Sequence, residues 1–158
     1  MRSAKYMLLW TLFIPALAAA QGDDNRRGWI YGLVGPAVFS NAGSAMFSAA
    51  GGGEFLLTGG LALGGEAGYL APDGIGLASA DVSYHFGGRY RQQRLVPFVI
   101  GGGSLGFRSG ISSGGGNVGG GIQYWMSSRT ALRIEVRDFI FSSDSPHLLT
   151  FRIGIAFR

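Results

Sequence analysis

Several ionisable side chains of this sequence stand singly among apolar and glycine neighbours. Single acids interrupt GGGEFLL, LALGGEAGYL and ASADVSYHF, while arginines and a glutamate alternate with apolar residues in TALRIEVRDF. Because burying an unpaired charge is costly, we expect these groups to form ion pairs with one another inside the protein. Such pairs either plug an interior or exchange partners and gate a narrow water path. The candidate network consists of Glu54, Glu66, Asp81, Gln123, Arg133, Glu135, Arg137 and Arg152.

A second group has the residue types used in nucleophilic catalysis. Ser143, Asp144, Ser145 and His147 lie within SSDSPH, and His85 lies in a separate segment. A His–Ser–acid set could in principle transfer or hydrolyse an acyl group. A short run of Ser, Asp and Pro is, however, typical of a turn, and a lone inward-facing histidine is typical of packing. We therefore expect no catalytic residue.

A third motif, VPFVIGGGSLGF, places Gly101, Gly103 and Gly106 in the G-x-G-x-x-G spacing of dinucleotide-binding folds. Such a fingerprint should open a helix and be followed about 20 residues later by an acid. The segment that follows is FRSGISSGGGN, and residues 118–130 contain no Asp or Glu. We expect no cofactor here, and interpret the glycines as a bend in a strand that leaves room for bulky interior side chains.

The ends and the composition indicate an exported single domain. Residues 1–20 combine Arg2 and Lys5 with a short apolar stretch and a small-residue tail, which predicts a signal peptide. The remaining domain, 21–158, keeps eleven arginines against nine acids, a balance too even to indicate a nucleic-acid partner. The chain has no cysteine, which excludes disulfides and cysteine-ligated metal sites, and we expect no metal.

Period-two alternation dominates the mature chain. In HLLTFRIGIAFR, large apolar residues alternate with Thr150, Arg152, Gly154 and Ala156, over a length that crosses a bilayer. Short turns rich in Gly, Ser, Asp and Pro separate similar segments. Eight strands are predicted, at about 28–39, 45–57, 60–70, 75–87, 94–107, 116–126, 130–141 and 147–158.

Aromatic residues concentrate near the strand ends. If the chain starts inside and alternates in direction, they form two girdles, as two membrane interfaces would favour. Because open sheet edges cannot stand in lipid, the sheet must close into an all-β, eight-stranded antiparallel up-and-down barrel. A soluble lipocalin-like carrier would place its apolar residues inside, the reverse of this pattern. The candidate girdle residues are Trp29, Tyr31, Phe39, Phe47, Phe55, Tyr69, Tyr84, Phe86, Phe98, Phe107, Tyr124, Phe139, Phe141 and Phe157.

The chain resembles the small OmpA/OmpX-like outer-membrane β-barrel proteins of Gram-negative bacteria over essentially its whole mature length. The resemblance rests on GGGEFLLTGGLALGGEAGY, on Tyr-His-Phe followed by Val-Pro-Phe-Val-x-Gly-Gly-Gly within 84–103, on GGGIQYWMSSRTALRIEVRDF and on the last strand. In that family a terminal aromatic is part of the signal for barrel assembly, whereas here Arg158 follows Phe157. We expect no peptidoglycan-binding domain after the barrel, so the resemblance does not imply cell-wall anchoring.

The resemblance implies a structural or surface protein of the outer membrane, with a lumen closed by the charge network. Expected partners are outer-membrane lipids, lipopolysaccharide, and the export and barrel-assembly machinery; we expect a monomer. The alternatives are a narrow gated pore, a lipid A-modifying enzyme and a surface adhesin. An adhesin normally needs long loops, and only residues 108–117 offer reach. The basic turn Arg89, Arg91 and Arg94 is expected on the periplasmic side, solvated or near lipid head groups.

Overall fold

The computed structural model describes residues 28–40, 45–87, 93–142 and 147–158. The predicted signal peptide lies outside the described residues. Within them, no helix is long and apolar enough to cross a membrane. The strands are β1 (Gly28–Phe39), β2 (Ala45–Leu56), β3 (Leu61–Ala71), β4 (Ile75–His85), β5 (Leu95–Arg108), β6 (Ile111–Trp125), β7 (Thr130–Phe141) and β8 (His147–Phe157).

The eight strands form one closed antiparallel barrel in sequence order, as predicted. Closure occurs between the first and last strands, where Ile30 pairs with Phe157 and Phe39 with Leu148. Each strand therefore has a hydrogen-bonded neighbour on both sides, which removes the open edges that lipid cannot solvate. We call the end of the barrel that holds Gly28 and Arg158 the terminal end, and the opposite end the hairpin end.

Side-chain alternation sorts the two faces of the sheet. On β8, Leu149, Phe151 and Ile153 face outward and are 38–49 % exposed, while Thr150 and Arg152 face inward and are 0–3 % exposed. The same separation holds on β7, where Ile134 and Val136 are exposed between buried arginines. Because successive side chains of a strand point to opposite faces of the sheet, the alternation of polar and apolar residues determines which face lines the lumen.

The β5–β6 hairpin is longer than the sequence predicts. β6 begins at Ile111 rather than near residue 116, and Arg108 pairs directly with Ile111. Ser109 and Gly110 both have positive φ, 45° and 87°, as a two-residue turn of a twisted hairpin requires. The expected long loop at 108–117 is therefore wrong. Its Gly/Ser composition carries no hydropathy signal, but backbone pairing with β5 holds it as a strand.

The lumen has an apolar layer near each end. Near the terminal end, a cluster of buried residues is built around Trp29, Leu33, Val96 and Trp125. Near the hairpin end, a second cluster contains Met46, Leu70, Leu77, Phe139, Phe141 and Leu148. The polar interior lies between these two layers.

Candidate functional site: a buried charge network

The eight residues of the predicted network all lie in the lumen. They come from six strands, β2, β3, β4, β6, β7 and β8, and each is at most 8 % exposed. Arg133 and Arg137, both fully buried, are among the largest side chains of the interior. An uncompensated charge in such a place is strongly unfavourable, so the arrangement depends on pairing.

Arg133 organises the half of the network nearer the terminal end. Its Nη1 donates to Glu54 Oε1 at 2.5 Å, and its Nη2 donates to Glu135 Oε2 at 2.8 Å. The guanidinium also lies over two aromatic rings, 4.3 Å from the centroid of Tyr31 and 4.1 Å from that of Phe98. Ion pairing and cation–π contacts together hold the group in one position.

Glu135 is the hub that joins both halves. It accepts hydrogen bonds from Arg133, from Arg137 Nε at 2.8 Å, and from Arg152. Arg152 also donates to Glu66 Oε1 at 2.5 Å. One carboxylate therefore binds three guanidiniums of strands β7 and β8, which ties these neighbouring strands to each other through their side chains.

Arg137 faces three carboxylates. Besides Glu135, its Nη1 lies 3.0 Å from Asp81 Oδ2, and its Nη2 lies 3.7 Å from Glu66 Oε2. Arg137 Nη2 has no hydrogen-bond partner within the described residues, although it is buried. Arg137 therefore has more than one possible arrangement of carboxylate partners.

Polar residues that the sequence analysis did not include complete the network. Asn117 Nδ2 donates to Asp81 Oδ1 and to Ser104 Oγ, both at 2.8 Å. Ser79 donates to Asp81 Oδ2 at 2.9 Å. Gln123, which was predicted, is 1 % exposed, but its Oε1 has no partner in the described part of the chain. Inward parity with Asp81 on β4 was the signal that could have found Ser79, and inward parity with Gln123 on β6 could have found Asn117. Strand β5 carries no predicted network residue that would have indicated Ser104.

His85 is the other addition to the network. Its Nε2 lies 2.7 Å from Glu54 Oε2, which also accepts a 2.7 Å hydrogen bond from Ser83. The ring stacks on Phe98 at 5.3 Å and meets Trp29 edge to face at 4.8 Å. The sequence predicts an inward-facing packing residue at this position, and the structure adds a direct bond to the network.

The network contains one more buried carboxylate than buried arginine. Four buried carboxylates belong to the network, and three buried arginines face them. The imidazole of His85 lies directly beside one of these carboxylates, that of Glu54, and adds a hydrogen-bond partner to those supplied by Arg133 and Ser83.

Replacement of His85 by alanine is expected to destabilise the barrel by about 2–4 kcal/mol, because it removes a partner of Glu54 and leaves a cavity against Phe98. The matched control is His147→Ala. His147 also contacts an acid, Asp138, at 2.8 Å, but its side chain is 48 % exposed, so its loss should cost at most about 1 kcal/mol. Urea unfolding of both variants in lipid vesicles measures the difference. Equal midpoints would show that His85 contributes no more than a surface histidine.

Glycines make room for the network on the strands beside it. Gly119 pairs with Arg137, Gly121 with Glu135 and Gly154 with Arg133. Gly102 pairs with Asp81, and a Cβ there would lie 2.6 Å from Asp81 Oδ1. Within the 101–103 run, Gly102 faces the lumen, whereas the glycines on either side of it face outward. The interpretation that this run leaves space for interior side chains therefore applies to Gly102.

Six of the fourteen proposed girdle aromatics face the lumen, so that part of the prediction is wrong. Position near a strand end does not determine the face; these residues share the parity of the buried charges and fill the two ends of the interior instead. They are Trp29, Tyr31, Phe39, Phe98, Phe139 and Phe141. The other eight are 40–53 % exposed on the outer face: Phe47, Phe55, Tyr69, Tyr84, Phe86, Phe107, Tyr124 and Phe157.

The last two residues of the chain also differ in the face of the barrel to which they point. Phe157 is 49 % exposed on the outside of the barrel. The guanidinium of Arg158 lies 4.1 Å from the Trp125 ring centroid and 6.0 Å from that of Trp29. The final arginine therefore packs on the apolar layer at the terminal end and leaves the aromatic residue before it on the outer surface.

Of the residues considered for nucleophilic catalysis, the described part of the chain includes the two histidines. Ser143, Asp144 and Ser145 lie outside the described residues, as do Arg89 and Arg91 of the basic turn. His147 pairs with Asp138 on the outer face, and His85 lies near the other end of the barrel. The two histidines therefore belong to separate places. His85 Nε2 also lies 3.2 Å from the hydroxyl of Ser83, inside the closed lumen.

Solved structures share this fold. The N-terminal β-barrel domain of Pseudomonas aeruginosa OprF is 16 % identical with a TM-score of 0.66, covering 83 % of this chain and 96 % of that one. Neisserial surface protein A is 16 % identical with a TM-score of 0.64, covering 82 % and 96 %. A structure described as de novo design of transmembrane β-barrels is 18 % identical with a TM-score of 0.60, covering 83 % and 94 %.

Sequence comparisons add no closer relationship, since no protein-family profile and no curated protein matches the chain. At these identities the structural likeness establishes the fold. A designed barrel among the matches shows that the architecture itself carries no particular activity. The chain thus has the closed eight-stranded antiparallel fold of the small outer-membrane β-barrel proteins, as the resemblance to OmpA/OmpX-like barrels predicted.

Proposed function

We propose that this chain is an integral outer-membrane barrel of Gram-negative bacteria with a structural or surface role and no catalytic activity, its lumen closed by the charge network. The observation that carries the proposal is how side chains are divided between the two faces of the barrel: polar and charged ones face the lumen, and apolar ones face outward. The buried network joins its charged and polar side chains by ion pairs and hydrogen bonds within the lumen, whereas the mid-strand exterior is apolar. A soluble barrel would expose a large apolar surface to water in this arrangement.

The exterior also has the banding expected at a bilayer. Aliphatic residues such as Val34, Val136 and Ile153 occupy the middle of the outer face. Exposed aromatics lie toward both ends, with Tyr84 and Tyr124 near the terminal end and Phe47 and Tyr69 near the hairpin end. Rings at two levels, with aliphatic residues between them, match two membrane interfaces around a hydrocarbon layer.

The connections support a compact role over an adhesive one. At the hairpin end the strands are joined by residues 40–44, 72–74, 109–110 and 142–146, all short. The longest connection, 86–94, is at the terminal end. Recognition of large partners usually depends on long loops, so this feature favours a structural barrel over an adhesin.

A narrow gated pore is the second candidate. The observation that favours it is Arg137, which faces Asp81, Glu135 and Glu66 at 2.8–3.7 Å and could exchange partners among them. The two apolar layers above and below the network weigh against a continuous water path, because an eight-stranded interior is about filled by side chains.

The membrane assignment is tested by expressing the full chain in a Gram-negative host and fractionating the envelope. We expect the protein in the outer-membrane fraction, with a mobility on gels that changes on heating, since a closed barrel resists detergent until boiled. A protein found in the soluble periplasmic fraction, with the same mobility before and after heating, would contradict the proposal.

A further inference from the structure

The hairpin end of the barrel contains a cavity of about 160 Å³ that the network does not reach. Its floor is formed by Phe39, Ile75 and Phe141, which pack on the apolar layer below. Gly106, on the inner face of β5, contributes no side chain to the wall. A Cβ at this glycine would lie 3.1 Å from Phe141 Cε1, so the glycine keeps the space above the ring open.

The long β5–β6 hairpin forms the outer wall of the cavity, to which it contributes the side chains of Arg108 and Ile111. Ile111 lines the cavity and is 75 % exposed, more than any other large hydrophobic residue in the described ranges. Arg108, its backbone partner across the hairpin, also lines the cavity. Arg108 forms no ion pair with any residue that the structure describes, unlike the three arginines of the network.

We propose that this cavity binds a small carboxylate that carries one compact apolar group, such as an aromatic ring. The apolar group would occupy the space between Phe141 and Ile111, and the carboxylate would meet the guanidinium of Arg108 at the rim. An apolar cavity of about 150 Å³ is large enough to hold benzene, so one such ring fits the space between these residues. The planar fork of an arginine matches a carboxylate with two parallel hydrogen bonds.

Charge and shape favour this class over other small molecules. The closed layer beneath prevents a long acyl chain from extending down the lumen, so only one end of such a chain could lie in the cavity. A small cation would meet Arg108 and be repelled. A neutral ring would fill the apolar part but gain nothing from the guanidinium, so the carboxylate form is expected to bind more tightly.

The test uses the refolded barrel in lipid nanodiscs with isotope-labelled isoleucine methyl groups and benzoate as the probe. Benzoate should shift the Ile75 and Ile111 methyl signals in a saturable manner while leaving Ile155, which faces lipid, unchanged. Benzamide, similar in shape but neutral, should bind about tenfold more weakly. Arg108→Gln should weaken benzoate binding by about the same factor and leave benzamide binding unchanged.

A second variant tests the cavity separately from the charge. Gly106→Val should fill the space and abolish the response to both probes, and Gly103→Val, on the outer face where a Cβ meets nothing within 4 Å, serves as its control. If Gly106→Val does not fold, the Arg108→Gln comparison decides alone. Shifts of Ile155 equal to those of Ile111, or benzoate affinity unaffected by Arg108→Gln, would overturn the proposal, the first indicating partition into the lipid.

Discussion

Replacement of Arg133 by methionine is expected to destabilise the barrel by about 3–5 kcal/mol, the largest single effect we predict. Methionine keeps much of the side-chain volume but removes the charge that faces both Glu54 and Glu135. These carboxylates are 4 % and 1 % exposed, so water cannot replace the lost partner. The stacking on Tyr31 and Phe98 is lost together with the charge.

Urea unfolding of the barrel in lipid vesicles, followed by the fluorescence of lumenal Trp29 and Trp125, measures this effect. Arg129→Met is the matched control, since Arg129 lies in an exposed turn and its replacement should change stability by less than about 0.5 kcal/mol. Adding Glu54→Gln to Arg133→Met should recover part of the loss, because it removes one of the two carboxylates left without the arginine. An unchanged midpoint for Arg133→Met would show that its side chain does not belong to a packed interior.

A second effect, steric rather than electrostatic in origin, is expected at Gly154. This residue faces the lumen between Leu33 on β1 and Arg133 on β7, at the seam that closes the barrel. A Cβ at Gly154 would overlap the carbonyl oxygen of Gly32 on the neighbouring strand. Alanine at this position therefore forces strand β8 away from β1, and we expect a loss of about 1–3 kcal/mol.

The control lies on the same seam. Gly32 faces outward, and a Cβ there would meet nothing within 4 Å, so Gly32→Ala should change stability by less than about 0.5 kcal/mol. Thermal or urea unfolding of the two alanine variants in vesicles separates a packing cost from a general effect of glycine replacement. Similar losses in both variants would mean that backbone freedom, not lumen space, explains the glycines.

The strand order and the network were predictable because both follow from alternation within single strands. Arg133, Glu135 and Arg137 share one face by their spacing alone, and the isolated acids Glu54 and Asp81 needed partners of the opposite charge. Seven of the eight strand starts fall within one residue of the prediction, and only β6 differs by more. The alternating hydropathy that gave these limits is absent in the Gly/Ser segment where the error lies.

The pairing between strands was not predictable in the same way. His85 on β4 contacts Glu54 on β2, which lies 31 residues earlier in the sequence and on the far side of β3. This contact depends on the register and stagger of the barrel. The aromatic residues show the same limit. Trp29 and Phe98 lie near strand ends, as girdle residues do, but their parity turns them inward, where they cover Arg133, His85 and the terminal end of the lumen.

The central claim, that this is a membrane-spanning barrel with a closed lumen, is tested most directly by planar-bilayer conductance of the refolded mature chain. Insertion is first established by heat-modifiable migration of the same sample. The account predicts a silent baseline for the inserted wild-type protein, because the network lies between two apolar layers. Steady or flickering channels from the wild-type protein, altered when Arg137 is replaced by alanine, would contradict it and favour the gated pore.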